Sequence, residues 1–258
     1  MLKTEISGAV ATVTLNRPTL HNAFNDEFIS HITAAFETLG TEPSVRVIVL
    51  RSTGESFSAG GDLNWMKKAA SYTTEENFRD ARAGANMFHT VAHCPKPVLA
   101  RVHGRALGGG CGLVACCDMA VALDSVEFGL PEVKIGLLPG IIGPFLISRI
   151  GVANAREYFL TGARFSADRA REIGLIQRVA ADEKHMDAIV DAWIAELMTA
   201  SPVAVAAAKK LIFDISDRPM ESVLDTAALS IANARVSPDG RAGVEAFLSR
   251  TKPPWVPQ

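Results

Sequence analysis

Residues 9–15 read AVATVTL, and Ala9, Ala11, Val13 and Leu15 alternate with Val10, Thr12 and Thr14, the period-two pattern of a strand. Asn16-Arg17-Pro18 ends it, because proline cannot continue the ladder. The period then changes to that of a helix. Phe28, Ile29, Ile32, Ala35, Phe36 and Leu39 share one face, with Asn25 or Asp26 as cap and Gly40 as stop. The β-rich run 45–50, VRVIVL, predicts a buried strand, and 52–62 a turn. Residues 64–76 have mixed character, 78–93 predict a helix with Ala81, Ala85, Phe88 and Ala92 on one face, and 97–102 a strand. A glycine-rich stretch with helical spacing follows, then strands at 119–123 and 126–128 and a Pro/Gly-rich segment, 131–140. Helices are expected at 142–150 and 153–160. A short helix capped by Ser166 and closed by Gly174 follows, then a strand at 175–179. Met186, Ile189, Val190, Trp193, Ile194 and Leu197 make 182–199 an amphipathic helix. Ser201-Pro202 is an N-cap and N1 signal for a helix over 203–213, and further helices are expected at 221–235 and 239–249. Strands and helices thus alternate to about residue 180 and only helices follow, an α/β pattern without a fixed-period repeat.

Composition narrows this little. The chain has 258 residues, 48% hydrophobic and 21% charged, within the ordinary range for a globular protein. A formal net charge of -2 argues against nucleic acid or an anionic membrane as partner. Apolar runs are too short and interrupted for a membrane span, and MLKTEISGAVATV lacks the basic and apolar regions of a signal peptide. Cys94, Cys111, Cys116 and Cys117 have no zinc spacing. The last three read as buried thiols in a reducing compartment, so a cytoplasmic location is expected.

The chemistry is defined first by exclusion. The six histidines form no HExxH or other ligand cluster; His89 and His93 share a helix face but have no carboxylate at metal spacing, so no metal is expected. GxSxG, GxxxxGK(S/T) and a GxGxxG opening a βαβ unit are all missing, which disfavours triad hydrolases, P-loop NTPases and dinucleotide dehydrogenases. What stands out is 103–118, HGRALGGGCGLVACCD. Three glycines in a row carry a high entropic cost and suggest a backbone that must go where a side chain would not fit. A helix starting there would present free N–H groups and the positive end of its dipole to a negatively charged oxygen. Gly60-Gly61 forms a second glycine turn, and Glu132 stands in an apolar neighbourhood, FGLPEVKIGLLPG. There it is either a surface-loop glutamate or a buried carboxylate with a raised pKa, suited to proton transfer.

The order of these pieces resembles a family. FSAGGDL (57–63), GRALGGGCGLVACCDMAVA (104–122) and FGLPEVKIGLLPG (128–140) are similar to the three signature blocks of the enoyl-CoA hydratase/isomerase, or crotonase, superfamily. The resemblance extends through NRPTLHNAF (16–24), FLTGARFSADRAREIGLIQRV (159–179) and AFLSRTKPPW (246–255). It implies a spiral of ββα turns with two perpendicular sheets over 1–200. A C-terminal helical region over 201–258 would build a homotrimer or a dimer of trimers. It also implies an acyl-CoA thioester substrate and no separate cofactor. Gly61 and Gly109 fall at the two oxyanion N–H donors. Ala59, Gly60, Asp62, Leu63 and Gly108 would flank the CoA, with Arg17, His21 and Ala23 as further contacts; Asp62 could instead simply cap the following helix.

Hydratases of this family usually carry a second glutamate at the end of the GGG block, where this chain has Gly112. With Glu132 alone two routes are open. One carboxylate could deprotonate water and return that proton to the α-carbon, or it could shuttle a proton between C4 and C2 of a 3-enoyl-CoA, which is isomerase chemistry. A third reading is a weakly active acyl-CoA-binding paralogue, against which the retained Glu132 speaks. GDLNWMK (61–67), GLVACCDMAVA (112–122) and GPFLISRIG (143–151) look like a bacterial branch of hydratases for 3-methylglutaconyl-CoA and related branched glutaconyl-CoAs of leucine and terpene degradation, which favours hydration. Such substrates have a distal carboxylate, for which Lys67, Lys68, Arg79, Arg82 and Arg105 are the candidate cations.

Overall fold

A computed structural model of the chain describes residues 1–256. Ten strands form two mixed sheets. The larger has the order β1(Leu2–Ser7), β2(Val10–Leu15), β3(Val47–Ser52), β5(Val98–Val102), β7(Met119–Leu123), β10(Arg178–Ala180), and the smaller has β4(Ser56–Ser58), β6(Arg105–Leu107), β8(Glu127–Gly129), β9(Arg164–Ser166). Only β1–β2 and β8–β9 are antiparallel pairs. Each turn of chain lays one strand in each sheet and returns through helix: β3, β4, α2(Leu63–Ala69), α3(Thr74–Ala92); β5, β6, α4(Gly109–Cys116); β7, β8, α5(Gly143–Thr161). That is a spiral of ββα turns. Parallel neighbours require such crossovers, and stacking them buries the strands on both faces.

The expected helix α1(Asp26–Thr41) is capped by the Asn25 side chain on the Phe28 N–H and buries Phe28, Ile29, Ile32, Phe36 and Leu39. It runs through Gly40, which does not stop it: Gly40 is buried at helical geometry against Pro95 and Cys94. Helix α3 begins earlier than the periodicity implied, because Thr73 and Glu76 form a reciprocal capping box. It buries Gly84, Met87, Phe88, Val91 and Ala92, while Ala81 is exposed. Its face is turned so that Gly84 abuts Ile141 and Ile29. Gly151, at φ 74 and ψ 161, divides α5 into the two expected helices. Phe28, Phe36, Phe57, Phe88 and Phe128 are fully buried in the main core, each contributing about 1.5–3 kcal/mol by removal from water.

Helix α6(Ala167–Glu172) follows β9, and α7(Glu183–Thr199) covers β3, β5, β7 and β10 with a second core of Val47, Val49, Leu99, Val121, Met186 and Val190. Arg46 reaches from the sheet to the carbonyls of Leu197, Met198, Ala200 and Trp255 and so ends α7. Helices α8(Pro202–Ile215), α9(Met220–Val236) and α10(Pro238–Leu248) then pack mainly on one another. One buried charge ties them to the core: Lys209 of α8 meets Asp118 at 2.7 Å and the Lys96 carbonyl at 3.2 Å, while Asp118 also accepts from the Val98 N–H. No single helix among the described residues is long and apolar enough to cross a membrane.

Candidate active site

The segment between β2 and α1 builds the first wall of the site. Asn22 is fully buried at φ 53, a left-handed conformation that asparagine tolerates. Its amide donates to the carbonyls of Thr53 and Ser56 at 2.8 Å, and its side-chain oxygen accepts from the Arg17 N–H. Next to it the Ala59 N–H donates to the His21 carbonyl, the Phe24 N–H to Gly60, and the Asp62 N–H to Phe24. This parallel bridge between Phe24 and Gly61 leaves the Gly61 N–H on the opposite side of the strand, where Gly61 lines a cavity. Asp62 then caps α2 through the N–H groups of Asn64 and Trp65 and pairs with Arg17 at 3.1 Å. Burial alone would raise the Asp62 pKa, but those two N–H groups and Arg17 outweigh it and hold the carboxyl below its ordinary value.

Helix α4 supplies the second wall. Gly109 is its first residue, so its N–H has no intrahelical acceptor. Gly108 precedes it at φ 51, a conformation that favours glycine, and a methyl group there would lie 2.8 Å from Oε1 of Glu132. The positive φ fixes the residue type, and the lack of a side chain lets the carboxylate approach the backbone closely. Glu132 sits in a 3₁₀ turn, Pro131–Ile135, after β8. Its Oε2 is buried with no protein partner, and burial pushes its pKa above the ordinary glutamate value, partly offset by its own backbone N–H. Glu132 is thus half-buried, with Oε2 shielded from solvent, rather than a plain surface-loop glutamate.

Ala59, Gly60, Gly61, Leu63, Gly108, Gly109 and Glu132 line one cavity of about 390 Å3. Arg17, His21, Ala23 and Asp62 do not line it. Arg17 is held inward by Asp62 and the Ala23 carbonyl, with its guanidinium over the Phe28 ring, and His21 is exposed with Nδ1 3.1 Å from Ser56 Oγ. These residues, with Asn22, form the clamp behind Gly61. Asn22 is a residue that sequence reasoning missed although it stands in the NRPTLHNAF block between His21 and Ala23; an asparagine in an aperiodic connection, where left-handed turns occur, was the physical signal for it. The inner end of the cavity is apolar, with Phe24, Ile29, Met87, Phe88 and Ile142 buried there, and the mouth carries exposed Leu63, Ile135, Leu137 and Leu138. Lys67, Lys68, Arg79, Arg82 and Arg105 lie off the cavity: Lys68 pairs with Asp26 and Arg79 with Glu75. Among the described residues Lys134 is the only cation in the lining.

Gly112 departs from the two-glutamate pattern for a steric reason. A methyl group there would lie 2.3 Å from Cγ2 of Ile142 and 3.3 Å from the Phe88 ring, so both fill the space a second carboxylate would need. Among the described residues no cluster of potential ligands occurs; His89 and His93 stack at 3.9 Å with Phe213 beyond them, and His93 Nδ1 contacts the His89 carbonyl. All four cysteines are free and buried, and burial raises the Cys111 and Cys117 thiols to about 12. They are inert to nucleophilic chemistry.

Glu132, whose Oε2 has no protein partner, shares one cavity of the ββα spiral with Gly61 and with Gly109 at the start of α4, so a proton-transfer group and two glycine backbones face the same space. The chain belongs to the enoyl-CoA hydratase/isomerase family, whose profile matches residues 5–258. A short-chain-enoyl-CoA hydratase of Clostridium acetobutylicum is 32% identical over 255 residues, covering 96% of this chain and 94% of that protein. An enoyl-CoA hydratase structure from Shewanella pealeana superposes with a TM-score of 0.94 at 35% identity over 98% and 95% of the two chains. Pseudomonas aeruginosa AtuE does so with a TM-score of 0.95 at 34% identity over 99% of each.

Proposed function

We propose that this protein adds water across the C2=C3 bond of a 2-enoyl-CoA, with Glu132 as its single acid–base group. The carrying observation is the buried Oε2 of Glu132, left without a protein partner in a cavity lined, apart from Lys134 at the mouth, mainly by apolar groups and backbone. In this reading the thioester oxygen lies between the Gly61 and Gly109 N–H groups. Ionised Glu132 takes a proton from water, the hydroxide bonds to C3, and the C2=C3 electron pair moves to C2 and the thioester oxygen as an enolate. The same proton then passes from Glu132 to C2, which restores the carboxylate. Oxyanion donors of this kind are each worth about 2.7–4 kcal/mol when removed singly. CoA binds along Ala59–Leu63 and leaves by the mouth, because its charged nucleotide end cannot enter an apolar cavity. The hydratase names of similar proteins support water addition.

The lining favours an apolar acyl chain. A branched glutaconyl substrate has a distal carboxylate, and Lys134, exposed at the mouth with its stem against Gly162, is the one lining cation that could meet it. Isomerisation is the second reading, because Ile142 and Phe88 remove the second carboxylate and a single shuttle needs no water. A panel of 2- and 3-enoyl-CoAs that includes crotonyl-, decenoyl- and 3-methylglutaconyl-CoA, with products weighed by mass spectrometry, separates these readings. Hydration gives a gain of one water from 2-enoyl-CoAs. Double-bond migration without any 3-hydroxyacyl-CoA would replace hydration with isomerisation, and no product from any substrate would leave only acyl-CoA binding.

We also propose that α8–α10 assemble the protein as a homotrimer or a dimer of trimers. Val203, Ile212, Leu224, Leu229, Phe247 and Leu248 are all more than half exposed on these helices, and apolar side chains gathered on one helical region are what an assembly would cover. Light scattering on the purified protein is expected to give three or six times the chain mass, and a monomer would refute this assembly.

A further inference from the structure

Helix α2 stands over the cavity with few anchors. It has seven residues, none of them buried, and helices this short are marginal on their own. Its polar anchors include the Asp62 cap, the exposed Lys68–Asp26 pair, and the Trp65 indole N–H, which donates to Oδ1 of Asp80 on α3 at 3.1 Å. Trp65 lines the cavity and packs against the main core. A methyl group on Gly61 would lie 3.8 Å from the benzo edge of its ring at Cζ3 and 3.3 Å from Sδ of Met66. The ring therefore runs from the proposed oxyanion donor to α3, on the inner side of the cavity shared with Phe24, Met87 and Phe88. An acyl chain leaving a thioester held at Gly61 must pass this ring, because the opposite direction is the open mouth that CoA needs.

We propose that Trp65 is the specificity-determining wall of the acyl pocket, limiting the length and branching of the acyl chain, and that Asp80 is a positioning residue that fixes the indole plane. The inference rests on the acyl-CoA reading of the site. Two features make Trp65 suited to this. Its indole is large and rigid, with few rotatable bonds, so it sets a definite limit where a Met or Leu would yield. Its single polar atom is satisfied by a side chain on another helix, so the ring orientation is set from outside the cavity. Asp80 itself is absent from the lining and acts only through Trp65.

The test compares wild type with Trp65→Ala, Asp80→Leu and Asp80→Asn. It reads kcat/KM for crotonyl- and decenoyl-CoA, and calorimetric binding of saturated butyryl- and decanoyl-CoA. For Trp65→Ala the long-to-short preference is expected to rise at least tenfold in both readouts. Asp80→Leu should shift the preference in the same direction through KM rather than kcat. Asp80→Asn keeps an acceptor for the indole N–H and should restore the wild-type ratio. An unchanged ratio in Trp65→Ala, or equal loss on both chain lengths, overturns the proposal. Binding of saturated acyl-CoAs needs no turnover, so a shifted binding ratio supports the wall even if every enoyl-CoA proves inert, whereas failure of all acyl-CoAs to bind would refute the acyl-CoA reading itself and, with it, the wall.

Discussion

Replacing Glu132 with glutamine is expected to lower kcat for 2-enoyl-CoA hydration by about 10²–10⁴-fold, the usual contribution of a positioned acid–base group. The loss should sit near the upper end, because among the described residues no other carboxylate lines the cavity to take over. KM should change little, since the amide keeps the size of the carboxyl and the contacts proposed to hold CoA along Ala59–Leu63 do not include Glu132. The pH dependence follows from burial. Desolvation raises the Glu132 pKa above its ordinary value, and the group must be ionised to accept a proton from water, so kcat should rise with pH through that raised pKa. Stability runs the other way. The folded state holds this proton more tightly than the unfolded chain, so stability falls as pH rises between the unfolded and folded values. Above the folded value the full cost of the buried carboxylate is present. Glu132→Gln removes that cost, so at neutral pH the variant should unfold at the same temperature as wild type or higher, and the difference should vanish below the ordinary glutamate range. Loss of the enoyl-thioester absorbance reads the first effect and thermal unfolding the second. Near-wild-type turnover would show that Glu132 is not the acid–base group.

How much of this was legible in the chain depended on whether the signal was local. Caps and periodic faces are local, so α1, α7 and α8 appear in the sequence close to their structural bounds, and the break in α5 falls at Gly151. Strand β1 was hidden because it is an edge strand, exposed along nearly its whole length and without apolar alternation. Strands β4, β6 and β9 have three residues each, too few to show a period; β4 lies in the polar stretch that reads as a turn and β6 at the head of the glycine-rich stretch that reads as a helix start. In the site, Glu132 and the two glycine blocks were legible as residue types, but the burial of Glu132 depends on the apolar cavity around it. The charge of a lysine or arginine says nothing about where it points, so five candidate cations all proved to lie off the cavity. Arg17, expected as a further CoA contact, is instead engaged by Asp62 and the Ala23 carbonyl. The pairing of Trp65 with Asp80 crosses two helices and leaves no mark in the sequence.

The gap at Gly112 shows the same limit most sharply, because the sequence displays the missing glutamate but not what replaced it. Gly112→Glu is expected to fail to restore a two-carboxylate site and instead to destabilise the fold. The first added carbon would lie 2.3 Å from Cγ2 and 2.8 Å from Cβ of Ile142, which is itself buried, and 3.3 Å from the buried Phe88 ring. Overpacking of this kind costs about 1–3 kcal/mol. A carboxylate driven into the same apolar space adds several kcal/mol unless it stays protonated. Against these, removing a glycine from a helix interior returns at most about 1 kcal/mol. The sum is a loss of at least about 2 kcal/mol, a large part of an ordinary folding margin of about 5–15 kcal/mol. Ile142→Ala alone should also destabilise, by about 2–5 kcal/mol, because it leaves a cavity. The two changes are complementary in volume, so the double variant should be more stable than the sum of the single effects predicts, by about 0.5–3 kcal/mol of coupling. Denaturant unfolding of the four proteins measures this directly. If Gly112→Glu unfolds at the wild-type denaturant concentration, Ile142 moves aside freely and does not exclude a second carboxylate. If the coupling appears, the single-glutamate chemistry of this protein is set by the packing of Ile142 and Phe88 as much as by the residue at 112.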